Sequence, residues 1–486
     1  MTIHLEQPWV SFIDGGWAQT KNGEPFEIAD PGRPGETASR YGLCDVADVD
    51  WAVTSASRAF GGWKATPAAA RAAHVYGLID LWKDHIETVA EIVTREMGKP
   101  LVESRSEAIR AVDEMRFWAG EALRLGDRTF ESTRPLTEAY TVRQPIGPVA
   151  AISPWNFPIL TPIRKVIPAL ICGCTVVLKP ALQAPGASVL LVELLRRTGV
   201  PKGVVNLLIG RGGDVGDALV NHPDIAGITF TGSTQVGIGI GVAAAKRNAR
   251  VQLEMGGKNA AIVAGYGDIE RAADEIVKAA FAVAGQRCTS ISRVIVPDSE
   301  KAALEAALVA RAEKLKVGYG LDDGIEMGPL SSRGQFEKVQ DYIDLAKAGG
   351  GRILTGGTSA GPEEGCFIQP TIVSDVAPGT PLADDEIFGP LLVVIPVADF
   401  EAAVQVNNRI SYGLTSAIFT DRMDWAHAFC ARSEAGMVHV NHGTASEGHL
   451  PFGGWKNSGQ GAFGIGDTSA EFYTSLKAVY RMYQPA

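Results

Sequence analysis

The chain has 486 residues, 46% of them hydrophobic and 21% charged, a composition that excludes a disordered or fibrous protein. At about 100 to 200 residues per domain, this length accommodates two or three domains, each able to bury its own core. Its 45 basic and 55 acidic residues leave a formal charge of −10, which argues against a polyanion-binding surface, and no apolar run reaches the roughly 20 residues of a membrane helix.

The opening segment MTIHLEQPWVSFIDGGW has neither the charged start nor the apolar stretch of an export signal, so a soluble, cytoplasmic protein is expected. Six cysteines, Cys44, Cys172, Cys174, Cys288, Cys366 and Cys430, contain no C-x-x-C pair. They are too sparse for a disulfide scaffold and lack the zinc or thioredoxin spacing. Most read as small buried hydrophobes.

From about 48 to 125, apolar residues recur at three- and four-residue spacing, which predicts helices, with a stop at Gly98-Lys99-Pro100. Residues 129–145 alternate and are rich in β-branched side chains, which predicts an extended arm or hairpin. Between 147 and 263 the short apolar runs GPVAAI, TVVLKP, VVNLLIG and GITFTG alternate with helix-like stretches such as GASVLLVELLRRTG. That rhythm predicts a parallel sheet covered on both faces, hence an α/β fold. Residues 257 to about 456 repeat it with RVIVP, LLVVIPV and GMVHVN. The tail EFYTSLKAVYRMYQPA reads as a strand, pairing either across subunits or within its own chain.

Several residues carry chemical potential, each beside a plainer reading. Cys288, in GQRC, follows Gly285 and the cation of Arg287, which favours a thiolate; alone it is as well a structural cysteine. Glu254, at the mouth of the strand VQLE, is placed for a general base or merely for a cap or salt bridge. Asn156, between Trp155 and Phe157, suits an oxyanion donor or a turn. FTGSTQVG, with Ser233, lies between a strand and a helix-like stretch, where backbone N–H groups attract a pyrophosphate, although it is not a G-x-G-x-x-G fingerprint. Lys179 stands at a strand's carboxyl edge, where open α/β sheets bind nucleotides, or is a surface lysine.

Together and in this order, PWNFP, LKP, FTGS, LEMGGK, GQRC, EIFGP and PFGGWKNSG resemble the aldehyde dehydrogenase superfamily over about residues 140 to 460. The resemblance implies two Rossmann-like parallel-sheet domains with a small β oligomerisation arm. The cofactor-binding domain is then 1–125 with 146–256, the catalytic domain 257–456, and the arm and terminal strand 126–145 and 465–486. It also implies roles: Cys288 as nucleophile, Glu254 as base, and Asn156 as oxyanion donor with the Cys288 backbone N–H. Trp155, Lys179, Gly212, Phe230, Ser233, Glu386 and Phe388 form the implied cofactor set. No metal, nucleic acid or membrane enters, and the implied assembly is a homodimer or homotetramer. Because Glu254 is present, the family pattern favours hydrolysis of the acyl intermediate over transfer to coenzyme A.

For substrate, Arg164 sits where semialdehyde dehydrogenases of this family carry an arginine for a carboxylate. Arg287 resembles members acting on small anionic aldehydes, and Ser446 matches a serine of the succinate-semialdehyde substrate loop. A guanidinium suits such work because it binds carboxylate or phosphate in a bidentate manner, while the plainer reading of Arg164 and Arg287 is a salt bridge at a subunit or domain contact. One departure is Ala282, where those succinate-semialdehyde enzymes hold a second arginine. The expected substrate is therefore a small aldehyde bearing a carboxylate, of the succinate or α-ketoglutarate semialdehyde type. Another small polar or phosphorylated aldehyde is the alternative, and a non-catalytic family member a more distant one. NAD or NADP are both open, since Leu182 replaces the glutamate usual in NAD-specific members.

Overall fold

A computed structural model describes residues 9–19, 26–361 and 365–484. The export-signal reading of the first residues falls largely outside this range. Among the described residues no helix is long and apolar enough to cross a membrane.

Four helices, Val46–Ala65, Ala68–Lys83, Ile86–Met97 and Leu101–Glu121, fill the periodic N-terminal segment. The first begins with a capping box, Asp45 accepting from the Ala47 and Asp48 N–H groups while Asp48 accepts from Asp45 N–H. The third ends at Gly98 with φ 91°, the left-handed stop that Gly-Lys-Pro announces. Ahead of them, Trp9–Ile13, Gly16–Gln19, Phe26–Asp30 and Arg33–Tyr41 are strands that the sequence reading did not single out. In RPGETASRY the first half is exposed, so no apolar alternation marks it.

The larger sheet has ten strands. Its order is Gly459–Gln460, Arg250–Glu254, Gly227–Thr231, Pro148–Ser153, Thr175–Pro180, Val205–Leu208, Trp9–Ile13, Arg33–Tyr41 and Phe26–Asp30, with Gly16–Gln19 beside Trp9–Ile13. The five from Arg250–Glu254 to Val205–Leu208 are parallel. The chain runs outward from Pro148–Ser153 to Thr175–Pro180 and Val205–Leu208, then returns to its other side at Gly227–Thr231. That reversal makes a topological switch point, and the crevice beyond the carboxyl ends there is where such sheets bind ligands.

The second sheet runs Arg352–Thr355, Thr371–Ser374, Leu391–Val397, Ile291–Pro297, Asn259–Val263, Thr415–Phe419 and Met437–Val440, parallel except for its first strand. Each sheet is buried against its own helices in a large apolar cluster. Two sheets of largely parallel strands, each covered by helices, give the expected α/β class.

The arm and the tail pair with each other inside one chain. Thr474–Met482 lies antiparallel to Thr137–Pro145 over nine residue pairs, and Thr129–Phe130 completes a three-stranded sheet. Of the tail, Ala470–Tyr473 forms a short helix before the strand begins.

Candidate active site

A single cleft collects most of the residues singled out above. It is lined by Trp155, Asn156, Arg164, Ser233, Glu254, Arg287, Cys288, Glu386, Phe388 and Ser446, brought from both sheets and the loops between them. Pro154-Trp155-Asn156 and Gly232-Ser233 leave the carboxyl ends of neighbouring strands at the switch point.

The loop that carries Cys288 is shaped by backbone conformation. Val283, Ala284 and Gly285 all have positive φ, at 55°, 52° and 69°. Gly285 is required there, since a Cβ would run into the carbonyl of Gly389. Two side chains hold the loop: Glu103 accepts from Val283 N–H, and Asn259 Nδ2 donates to the Cys288 carbonyl at 2.7 Å.

Burial pushes the Cys288 thiol up to about 12, with Glu254 and Glu386 adding to the shift and Arg287 and Arg164 opposing it. The cation beside Cys288 thus acts as the sequence reading supposed, but desolvation outweighs it. The thiol therefore rests protonated and needs a proton acceptor. Burial likewise raises the Glu254 carboxyl, against the pull of Lys165 and Arg164. Lys165, which donates to Thr229 Oγ1, is lowered to about 8 by burial despite Glu254.

Asn156 is buried, and its Nδ2 donates to the Gln286 carbonyl at 2.9 Å, leaving a second amide N–H. Beneath it lies a pair that sequence reasoning missed. Lys99 Nζ donates to Glu107 at 2.6 Å and to the Asn156 carbonyl at 2.9 Å, while Glu107 accepts the Ile159 and Leu160 N–H groups.

On the cofactor side, Glu386 accepts from Gly257 N–H at 3.0 Å. The Phe388 ring meets Trp155 edge-on, with centroids 5.5 Å apart, from a backbone at φ 61°. Ser233 precedes the helix Thr234–Ala245, and the nearby Thr231 hydroxyl is buried without a hydrogen-bond partner among the described residues. Lys179 Nζ is buried, lowered to about 8 by desolvation, and donates to the Pro180 carbonyl at 3.3 Å. Polar groups left open at a helix N-terminus and a switch point fit a dinucleotide. Three members of the expected cofactor set lie off the cleft wall, Lys179 among them. Phe230 is buried beneath the loop, where a Cβ on Gly232 would strike its ring, and Gly212 is exposed at the start of the turn Gly212–Gly216.

The cleft also holds three guanidinium groups, those of Arg110, Arg164 and Arg287. Arg110 was not singled out in the sequence. Arg164 is paired with Glu114, its Nε and Nη2 both reaching the carboxylate at 2.6 to 3.1 Å. Arg287 donates to Thr289 Oγ1 and the Thr444 carbonyl, and Arg110 to the Ser446 carbonyl and hydroxyl, each at 3.2 Å.

A family model described as "Aldehyde dehydrogenase family" matches residues 17–479. Alpha-ketoglutaric semialdehyde dehydrogenase of Bacillus subtilis (strain 168) is 36% identical, covering 99% of both chains. Phenylacetaldehyde dehydrogenase of Pseudomonas fluorescens is 37% identical, covering 99% of this chain and 97% of its own. In three dimensions the chain resembles betaine aldehyde dehydrogenase of Staphylococcus aureus, crystallised with NAD+, at TM-score 0.95 and 32% identity, over 99% of this chain and 96% of the other. Relatives named for an acidic and for an uncharged aldehyde stand equally near, so overall identity does not choose the substrate, and the lining of the cleft must.

Proposed function

The chain belongs to the aldehyde dehydrogenase family, and from that premise we propose that it oxidises a small carboxylate-bearing aldehyde, a semialdehyde acid, to the corresponding diacid. The observation that carries the reading is the meeting in one cleft of a thiol, a raised carboxyl and three guanidinium groups. Relatives named alpha-ketoglutaric and glutarate-semialdehyde dehydrogenase support it.

In this reading Cys288 Sγ bonds to the aldehyde carbon after its proton passes to water in the cleft. The oxygen of the resulting thiohemiacetal takes N–H donation from Asn156 Nδ2 and the Cys288 backbone. An aldehyde C–H is a poor hydride donor, whereas the C–H of this adduct leaves readily with its electron pair as the carbonyl re-forms as a thioester. NAD or NADP, when bound, supplies the hydride acceptor. Glu254 then takes a proton from water, whose oxygen bonds to the thioester carbon; the C–S bond breaks, the Cys288 sulfur takes that proton back from Glu254, and the acid is released. Trp155, Lys179, Ser233, Glu386 and Phe388 are the residues that would hold the dinucleotide, with Phe230 and Gly212 supporting its loops. Arg164, Arg287 and Ser446 line the end that takes the substrate carboxylate.

The dinucleotide belongs to the unit of residues 1–125 and 146–256, and the nucleophile to 257–456. A homodimer or homotetramer goes with this reading. Val236, Ile238 and Val242 are half exposed on the apolar helix Thr234–Ala245, and Leu476, Tyr480 and Met482 are more exposed still on the terminal strand. A cytoplasmic location goes with this reading, since a reducing compartment protects a nucleophilic thiol from oxidation.

The test is reduction of NAD and of NADP with a panel of aldehydes: succinate semialdehyde, α-ketoglutarate semialdehyde, glyceraldehyde-3-phosphate, lactaldehyde and benzaldehyde. A kcat/KM at least tenfold higher for the semialdehyde acids is expected. Preference for the uncharged or phosphorylated members withdraws the substrate class and leaves the family standing.

A further inference from the structure

One face of the helix Leu101–Glu121 carries Glu103, Glu107, Arg110 and Glu114, spaced four, three and four residues apart. Such a stripe ordinarily faces solvent. Here it faces the interior, and each acid is committed. Glu103 accepts from Val283 N–H in the nucleophile loop. Glu107 holds Lys99 and the N–H groups of Ile159 and Leu160. Glu114 takes Arg164 in a two-pronged ion pair.

Arg110 is left over. It lines the cleft that contains Cys288, yet among the described residues no carboxylate comes within ion-pair distance of it. Its contacts are the carbonyl and hydroxyl of Ser446, both made by Nη2. Arg287, also without an ion pair among the described residues, reaches the same loop through the Thr444 carbonyl, and its Nε is buried without a partner. A partly buried guanidinium without an anion costs stability unless a ligand supplies one. Two of them hung from one loop and lining one cleft make a receptor for a single planar oxyanion.

Resting on the semialdehyde reading above, we propose that Arg110 is a specificity-determining residue: with Arg287 it binds the substrate carboxylate, while Arg164 stays with Glu114 and positions the wall between them. Ser446 fixes the Arg110 fork rather than touching substrate first. The ligand class is a short aldehyde with a carboxylate at the end remote from the aldehyde.

The experiment compares Arg110→Gln and Arg110→Lys with wild type on a semialdehyde acid and on its uncharged amide. For Arg110→Gln, kcat/KM for the acid should fall at least thirtyfold more than for the amide, chiefly through KM. Arg110→Lys, which keeps the charge and loses the fork, should recover part of that discrimination. A second measurement uses no turnover. Glutarate should slow iodoacetamide alkylation of Cys288 in wild type, its diamide should not, and Arg110→Lys should need about tenfold more glutarate. If wild type does not prefer the acid, the semialdehyde reading fails and this assignment with it. If wild type prefers the acid but Arg110→Gln loses both substrates equally, or glutarate protects Arg110→Lys as well as wild type, the Arg110 assignment alone is overturned.

Discussion

The Lys99 ammonium and the Glu107 carboxylate meet at 2.6 Å in the interior, both side chains almost wholly shielded from water, directly beneath Asn156. The pair ties three segments together: the turn after the third helix, the fourth helix, and the loop that carries Asn156. Removing one partner of such a pair leaves a buried charge uncompensated, at a cost of about 3–5 kcal/mol.

Lys99→Met is therefore expected to lower stability by about that amount and to depress kcat, because the Asn156 carbonyl loses its donor. Lys99→Met combined with Glu107→Gln should regain much of the stability, since the glutamine oxygen still accepts from Ile159 and Leu160. Urea unfolding of the three proteins measures it. A single variant as stable as wild type removes the pair from any supporting role.

Cys288 provides a test by pH. An acid pushed up to about 12 by burial stays protonated through neutrality, and its thiolate fraction rises about tenfold per pH unit below that value. Alkylation of the free enzyme by iodoacetamide should thus keep accelerating past pH 9, beyond the range in which an ordinary exposed cysteine levels off. A plateau below pH 8 would mean that Arg287 and Arg164 outweigh burial. Cys288→Ala should abolish aldehyde oxidation outright.

Glu254 and Gly464 are coupled by space. A Cβ on Gly464 would fall inside van der Waals contact of Glu254 Oε1, and Gly464 does not need positive φ, so alanine is blocked by the carboxylate rather than by the backbone. Gly464→Ala should displace the base and reproduce the behaviour of Glu254→Gln: a burst of reduced cofactor equal to the active sites, then turnover slowed about a hundredfold at the thioester. Rapid-mixing kinetics on both variants decides. Steady turnover at the wild-type rate in Glu254→Gln excludes it as the base that releases the acid.

The strands of the parallel sheets and the loops of the cleft were legible because short apolar runs ending in Gly- or Pro-marked turns leave a local signature, as in GITFTG before Ser233. The strands between Trp9 and Tyr41 were not, since Arg33–Tyr41 is half exposed and its apolar positions do not alternate. Arg110 and Glu107 escaped for the opposite reason. Charged residues at helical spacing look like a solvated face, and only the packing of that helix against Leu160–Cys172 turns the face inward. The signal was present as a stripe of three acids and one base, but burial, which gives it meaning, is a property of the whole fold. Likewise Arg287 was visible beside Cys288, while the desolvation that overrides its effect on the thiol was not.

Cofactor choice turns on Lys179 and Leu182. Lys179 Nζ is buried at the carboxyl end of Thr175–Pro180, and its charge is set against desolvation that lowers it to about 8. Leu182, two residues beyond that strand, offers no carboxylate to repel a 2′-phosphate. NADP should accordingly be accepted, and Leu182→Glu should raise the NAD-over-NADP ratio of kcat/KM at least tenfold by setting a negative charge against that phosphate. The sign of the pH effect follows from the same lysine. A lysine lowered to about 8 is cationic below that pH and neutral above it, so KM for NADP should climb above pH 8 more steeply than KM for NAD. Parallel pH profiles for the two cofactors would place Lys179 away from the 2′-position, on ribose hydroxyls common to both.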